Sequence, residues 1–366
     1  NSFLDPYSDY SNETDENNSL PRNWTEEDDE YYYDDYYEDQ PELRKSLNIM
    51  SLVVYSLAFV LGVLGNGVVI WVTGFKMKKT VNTVWFLNLA VADFLFTAFL
   101  PLSVAYTATD FHWPFGRFMC KVNSTLSTLN MFSSVYILVV ISVDRCISVV
   151  KPIWAQNHRS VQRASAVSLV VWFLALVLSS PSFVFRDIAP GMKNVVALRS
   201  MRHCVMIITR VILGFVVPFA IIVSCYAVII HRLRTSRSMS GRTGRPFRII
   251  AAVITAFFVC WAPFHIMAII EMINHMKPES DFSPTLHHVT MIGFPITSSL
   301  AFLNSCLNPL LYVFMGQDFK DKVCKSILKV LETAFTEEVS RTNTYTNSML
   351  TSRSKQKSFS DAEYVS

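Results

Sequence analysis

Within long apolar runs of this 366-residue chain sit Asn66, Asp93, Asn130, Asn304 and Asn308, with Ser134 four residues after Asn130. Oxygen-bearing side chains at hydrocarbon depth are costly and are kept where they have a task or a partner. Spread over separate helices at similar depth, they suit a small hydrated cation or a hydrogen-bond network that rearranges between two packings. The plainer reading is a static polar cluster that ties helices together, worth about 1 kcal/mol per bond. Asp93, an acid with no base near its depth, favours the ion.

A second group is Asp144, Arg145 and Cys146 at the end of another apolar run. An adjacent acid and base at a helix end also arise as interface residues that snorkel. Prolines Pro101, Pro181, Pro218, Pro263 and Pro309 each interrupt a different run, and mid-helix prolines supply kinks about which halves can swing. Arg210 is a counter-charge for a ligand carboxylate, because a guanidinium holds one bidentately. Glu271 would bind an amine or guanidinium, or pair with Arg210. Tyr106, Trp113, Phe264, His265 and Phe294 could form an aromatic wall, with ordinary helix packing as the alternative for each.

The stretch "EEDDEYYYDDYYED", residues 26 to 39, carries nine acids and five tyrosines. Residues 1 to 42 hold fifteen of the 29 acids against the single base Arg22. Such a segment cannot bury enough apolar surface to offset its ordering entropy. It reads as an arm that concentrates a basic partner beside a binding mouth, the alternative being a solvated spacer. Acid-flanked Tyr31, Tyr32, Tyr33, Tyr36 and Tyr37 are sulfation candidates. Asn12, Asn17 and Asn23 lie in glycosylation sequons, while the sequon at Asn123 falls inside an apolar run and is discounted.

These residues must be positioned by helices that cross a membrane. Apolar runs at about 48–75, 82–107, 117–149, 163–184, 203–232, 246–274 and 287–314 match a hydrocarbon layer roughly 30 Å thick. "KMKK", "KPIWAQNHR", the Arg-rich 232–248 segment and the lysines after residue 319 fall on one side, which the positive-inside rule makes cytoplasmic. An odd number of spans then puts the acidic arm outside. The expected architecture is an all-α seven-transmembrane helix bundle in the plasma membrane with a short amphipathic eighth helix and disordered termini. Its divisions are an acidic extracellular tail (1–46), the bundle (47–315), a helix on the inner leaflet (316–332) and a Ser/Thr-rich cytoplasmic tail (333–366) open to phosphorylation.

Of seven cysteines, four lie within spans, and Cys324 on the inner side is a palmitoylation candidate. Cys120 and Cys204 remain on the oxidising side; they form one possible disulfide or stay as two thiols. No metal cluster, catalytic carboxylate pair or nucleophile with its base is visible, so no enzyme is expected. No nucleic-acid partner is expected either; the partners in view are membrane lipid and an extracellular peptide or basic protein. Residues 287–314 contain no lysine for a retinal Schiff base, and no repeated halves or charged pathway suggest a channel or transporter.

Taken together, "GNGVV" at Asn66, "LAVAD" at Asp93, "DRC", Trp172, Pro218 with Tyr226, "FFVCWAP" and "NPLLY" resemble the ordered signature of rhodopsin-like G-protein-coupled receptors. The resemblance covers about residues 48–332. It implies that Asp144 holds Arg145 until the sixth helix swings outward, with Tyr226, Phe257, Trp261, Pro263, Asn308, Pro309 and Tyr312 relaying the swing. It also implies that Asp93, Asn130, Ser134, Asn304 and Asn308 hold sodium as an allosteric modulator, with no other cofactor.

A narrower resemblance to the chemoattractant branch rests on "KKTVNTVWFLNLAVADF", "HWPFG", "KPIWAQNHRSV", "FVFRD", "SCLNPLLYVFMGQDF" and "LETAFTEE". Within that branch "IIEMINH" and "TGFKMKKTV" are most similar to chemerin receptors, while Thr128 stands where formyl-peptide receptors have an acid. The branch implies an inhibitory-type heterotrimeric G protein, arrestin, chemotaxis and inflammatory signalling. Receptors for formyl peptides, anaphylatoxins or prostaglandin, and a scavenger that does not signal, are the alternatives. The segment from Arg186 to Arg202 is shorter than in those relatives, so the expected lid and the Cys120–Cys204 bond carry less support than the branch alone would give.

Overall fold

The protein is described by a computed structural model covering residues 41–109, 112–185, 193–235, 244–276 and 283–315, with Asp321 and Lys325. Seven helices are long and apolar enough to cross a membrane: Glu42–Lys76, Val81–Ala108, Gly116–Val150, Val161–Phe185, Met201–Arg232, Ile250–Asn274 and His288–Leu310. They are the first to seventh spans below. Their bounds follow the apolar runs because the same lack of charge that permits immersion also marks them in the sequence. The acidic arm with its sequons and tyrosines, Cys324, and the C-terminal tail fall outside the described residues, as does nearly all of the expected eighth helix.

The spans close into a ring in chain order except that the third runs through the middle, touching the second, fourth, fifth and sixth. The ring passes from the second span to the fourth and closes from the seventh to the first. Burial follows this placement: 67% of the most apolar window of the third span is buried, against 22% for the first and fifth. The outer faces of the first, fourth and fifth spans carry exposed Leu, Val and Phe, such as Leu64, Leu169, Phe173 and Phe219, as helices facing hydrocarbon should.

Prolines break the ladder of backbone hydrogen bonds, and hydrocarbon supplies no water to repair it. Each freed carbonyl therefore needs a protein donor. Pro309 cannot donate to the carbonyl of Ser305, and Asn66 Nδ2 from the first span takes that oxygen at 2.8 Å while also donating to Gly62 at 2.9 Å. Pro181 leaves the carbonyl of Val177 open, and Ser180 Oγ donates to it at 2.7 Å.

Pro218 follows a π-helical turn, Ile212–Val216, in which each amide reaches five residues back. In that register the missing proline N–H orphans the carbonyl of Leu213, and Tyr136 of the third span donates its hydroxyl to it at 3.1 Å. Pro101 instead divides the second span into Val81–Ala98 and Leu100–Ala108. Pro263 lies inside the sixth span and Pro295 and Pro309 inside the helix of the seventh; the sequence reading did not single out Pro295.

Two glycines of the first span permit the close approach these bonds require. A Cβ at Gly65 would lie 3.0 Å from Pro309, and one at Gly62 would lie 2.4 Å from the Thr97 methyl. Thr97 cannot turn away freely, since its hydroxyl donates to the Asp93 carbonyl at 2.8 Å.

Gly62→Ala should therefore destabilise the bundle by about 1–3 kcal/mol through overpacking. Thermal denaturation in detergent would read this as a lowered Tm, with partial recovery in Gly62→Ala/Thr97→Ser, which removes the methyl but keeps the hydroxyl. Asn66→Ala should cost about 1–3 kcal/mol by stranding the Ser305 carbonyl; an unchanged Tm would show that another donor takes it.

Candidate functional site

Three groups of side chains are assembled along the bundle. The middle one contains the intramembrane polar residues. Asp93 is fully buried, and Asn308 Nδ2 donates to its Oδ2 at 2.7 Å. Ser305 and Asn130 border the same carboxyl group. Asn130 Nδ2 donates to Ser305 Oγ at 3.0 Å, and Ser134 Oγ donates to Asn130 Oδ1 at 3.2 Å.

Ser305, absent from the expected set, is thus the hub of this cluster: its carbonyl meets the first span and its hydroxyl the third. The "SCLNP" run that it opens was read for its asparagine and proline, and nothing in a serine's type marks such a role. Among the described residues, Asp93 Oδ1 and the Oδ1 atoms of Asn66, Asn304 and Asn308 are buried without a hydrogen-bond partner, and no Lys or Arg pairs with Asp93. A buried carboxylate with unmatched oxygens around it calls for a cation or a proton. Asn304 contributes a buried oxygen, while Ser134 reaches the cluster through Asn130.

At one end of the third span, the Asp144–Arg145 pair expected from the sequence is present but loose, with Arg145 Nη2 3.6 Å from Asp144 Oδ2. Asp144 is instead gripped by Arg159, whose Nε lies 2.9 and 3.2 Å from its two oxygens and whose Nη2 lies 3.0 Å from Oδ2. Asn82, at the start of the second span, accepts from both guanidiniums through its Oδ1, Arg159 Nη2 standing at 2.6 Å. Neither Arg159 nor Asn82 was singled out from the sequence. Arg159 looked like one more inner-side positive charge, and its partner lies fifteen residues away beyond the short helix Pro152–His158.

Of the remaining expected switch residues, Tyr226 on the fifth span lies within electrostatic range of Arg145. Phe257 packs on Trp261 with centroids 6.0 Å apart, and Trp261 on Phe264 at 5.9 Å and His265 at 6.1 Å. Pro263 sits within that aromatic run. Tyr312 is helical, and its side chain falls outside the described residues.

Near the opposite end, Arg210 borders two cavities. One, of about 40 Å³, is lined by Ser103, Asn123, Ser127, Thr128, Phe264 and Ser298 among others. The second, of about 270 Å³, lies among the third, fourth and fifth spans and is mostly apolar, with Phe132, Leu178, Pro181, Val205 and Met206 beside Arg202. Arg210 Nη2 stands 3.5 Å from Thr128 Oγ1, whose hydroxyl also meets Ser124 O at 3.0 Å and Ser182 Oγ at 3.1 Å. A guanidinium bordering a small, partly polar space and a larger apolar one can orient an amphipathic anion.

The other expected pocket residues surround this zone without lining either cavity. Glu271 and His265 are buried on the sixth span, and Phe294 packs on Phe264 at 6.1 Å. Among the described residues neither ring nitrogen of His265 has a hydrogen-bond partner. Tyr106 and Trp113 form a separate aromatic pair at 5.8 Å, fixed by Trp113 Nε1 donating to the carbonyl of Gly116, whose φ of +72° suits only glycine without strain. Asn123, discounted as a glycan site, is turned inward and reaches Ser103 Oγ at 3.4 Å.

The Cys120–Cys204 bond is not formed in this structure. Cys120 is a buried thiol at the head of the third span, whereas Cys204 lies within the continuous helix Lys193–Val211 rather than on a loop free to reach across. Among the described residues no group of three or more His, Cys, Asp or Glu side chains could hold a metal.

The family model described as "7 transmembrane receptor (rhodopsin family)" matches residues 65–312. Chemerin-like receptor 1 of Homo sapiens is 48% identical over 294 residues, covering 74% of this chain and 76% of that protein. Chemerin-like receptor 1 of Mus musculus is 44% identical over 308 residues, covering 78% and 80%. The C3a anaphylatoxin chemotactic receptor of Danio rerio is 45% identical over 296 residues, covering 80% and 79%. With seven membrane-spanning helices, a polar core on Asp93 and an Asp144–Arg145 pair where the signature requires them, the chain belongs to the rhodopsin family of seven-transmembrane receptors.

Proposed function

We propose that this receptor stands in the plasma membrane with its N-terminus outside and recognises an extracellular peptide or protein of the chemerin type, driving chemotaxis and inflammatory signalling. It passes the signal to an inhibitory-type heterotrimeric G protein and to arrestin at the end that carries Asp144 and Arg145. The observation that carries this reading is Arg210 set between two cavities within the bundle, in a chain similar to receptors named for chemerin and for C3a. The guanidinium receives the ligand's terminal carboxylate while Phe264 and Trp261 meet its apolar side chains. Displacement of those rings is passed along Phe257 toward the Asp144 end. An anaphylatoxin is the second candidate ligand, favoured by the likeness to C3a receptors.

A sodium ion is proposed at Asp93, with Asn130, Ser134, Asn304 and Asn308 around it. The buried, unmatched oxygens of Asp93, Asn304 and Asn308 fit a hard cation, which would supply the charge that neutralises the carboxylate. The acidic N-terminal arm would collect a basic protein ligand before its end enters the bundle.

The reading is tested by expressing the chain in cells and applying chemerin, an anaphylatoxin, a formyl peptide and a prostaglandin, with cAMP and arrestin recruitment recorded separately. A chemerin response in both channels is expected, and arrestin recruitment without any cAMP change would mark a scavenger. Arg210→Ala should lower potency for a carboxylate-ended peptide by 10-fold or more, on the order of the 1.5–3 kcal/mol of a hydrogen bond to a charged group, at unchanged surface expression. Amidating the peptide's terminus should abolish that difference. Asp93→Asn should remove the decrease in agonist affinity that sodium produces in wild-type membranes; a persisting sodium effect would place the ion elsewhere.

A further inference from the structure

Arg145 and Arg159 compete for one carboxylate and one amide oxygen. Asp144 offers two oxygens, and the planar fork of Arg159 occupies both, at 2.9 and 3.2 Å from Nε and 3.0 Å from Nη2. Arg145 is left with a contact of 3.6 Å to the same carboxylate, beyond hydrogen-bond length, and with Asn82 Oδ1, which it shares with Arg159. Its Nε is buried without a partner among the described residues. Two like charges on shared acceptors repel each other, and the better-oriented fork takes the stronger bonds.

The side that Arg159 takes is set by local geometry rather than chance. Its amide donates to the Ala155 carbonyl at 2.9 Å, closing the short helix Pro152–His158. Arg163 Nη1 holds the carbonyl of His158 at 3.0 Å, so the turn that delivers Arg159 is braced from both sides. Asn82 lies just inside the second span, whose start is fixed by a capping box between Thr80 and Thr83. The groups facing Arg145 are therefore Asp144 on its own helix, Asn82 from the second span, Arg159 from the head of the fourth and Tyr226 from the fifth.

We infer that Arg159 is a positioning residue for Arg145: by occupying the carboxylate of Asp144 it weakens the hold on Arg145 and so sets how readily the receptor reaches its signalling state. This rests on the proposed passage of the signal to a G protein at the Asp144–Arg145 end, but not on the identity of any ligand. Removing Arg159 frees both oxygens of Asp144 to receive the fork of Arg145, tightening the restraint. A lysine at 159 supplies the charge without the fork and leaves the competition half intact.

The test uses the full-length receptor in nanodiscs without agonist, so its outcome is independent of the ligand reading. A fluorophore at the inner end of the sixth span reports outward movement with no G protein present, and nucleotide exchange on an added inhibitory-type G protein is measured in parallel. Arg159→Ala should reduce both signals by about two- to fivefold, as expected for losing a partly exposed ion pair, with Arg159→Lys between it and wild type. In an Asp144→Asn background, Arg159→Ala should change neither signal. Increased or unaltered sixth-span movement in well-folded Arg159→Ala overturns the inference. So does a full-sized loss of exchange in the Asp144→Asn background, which would mean that Arg159 touches the G protein itself.

Discussion

A chain immersed in hydrocarbon must find a protein partner for every backbone carbonyl it uncovers, and this bundle is organised by that requirement. Prolines inside its spans leave oxygens without their helical donor, and three of these oxygens have a side-chain partner. Asn66 answers Pro309, Tyr136 answers Pro218 and Ser180 answers Pro181. Two of these repairs run between spans, so they fix the first helix against the seventh and the third against the fifth. Kinks that could have been points of weakness become points of registration.

The polar cluster at Asp93 is built on this framework. Asn66 and Asn130 both converge on Ser305, and Asn308 on Asp93, so the first, second, third and seventh spans meet through side chains of five residues. From the smaller cavity by Arg210, Phe264, Trp261 and Phe257 run along the sixth span in successive ring contact. Close-packed rings transmit displacement because they have little room to absorb it.

The spans were legible because hydropathy is a local property that survives without knowledge of neighbours. Asp93, Asn130 and Asn308 were legible for the same reason, as amides and an acid in the wrong solvent. What stayed hidden depends on pairing between segments. Arg159 carries no mark that separates it from other inner-side bases, and Asn82 sits in a helix start where an asparagine is ordinary. Ser305 and Tyr136 act through carbonyls whose exposure is decided by a proline several residues away, on another helix in the case of Tyr136. Sidedness singled out Cys120 and Cys204 as one possible disulfide, and it does not specify that Cys204 is helical.

The π-helical turn at Ile212–Val216 has a consequence for everything that precedes it. Each residue of an α-helix advances by about 100° around the axis, so one surplus residue in that turn rotates the whole outer segment by that angle relative to the segment after Pro218. Arg210 thereby points at Thr128 in the interior instead of at the acyl chains. Deleting a single residue from the turn would re-wind the segment, carry the guanidinium round to the lipid and bring a hydrophobic neighbour inward in its place. The length of this span, counted to the residue, therefore decides which side chain faces Thr128 and the cavities.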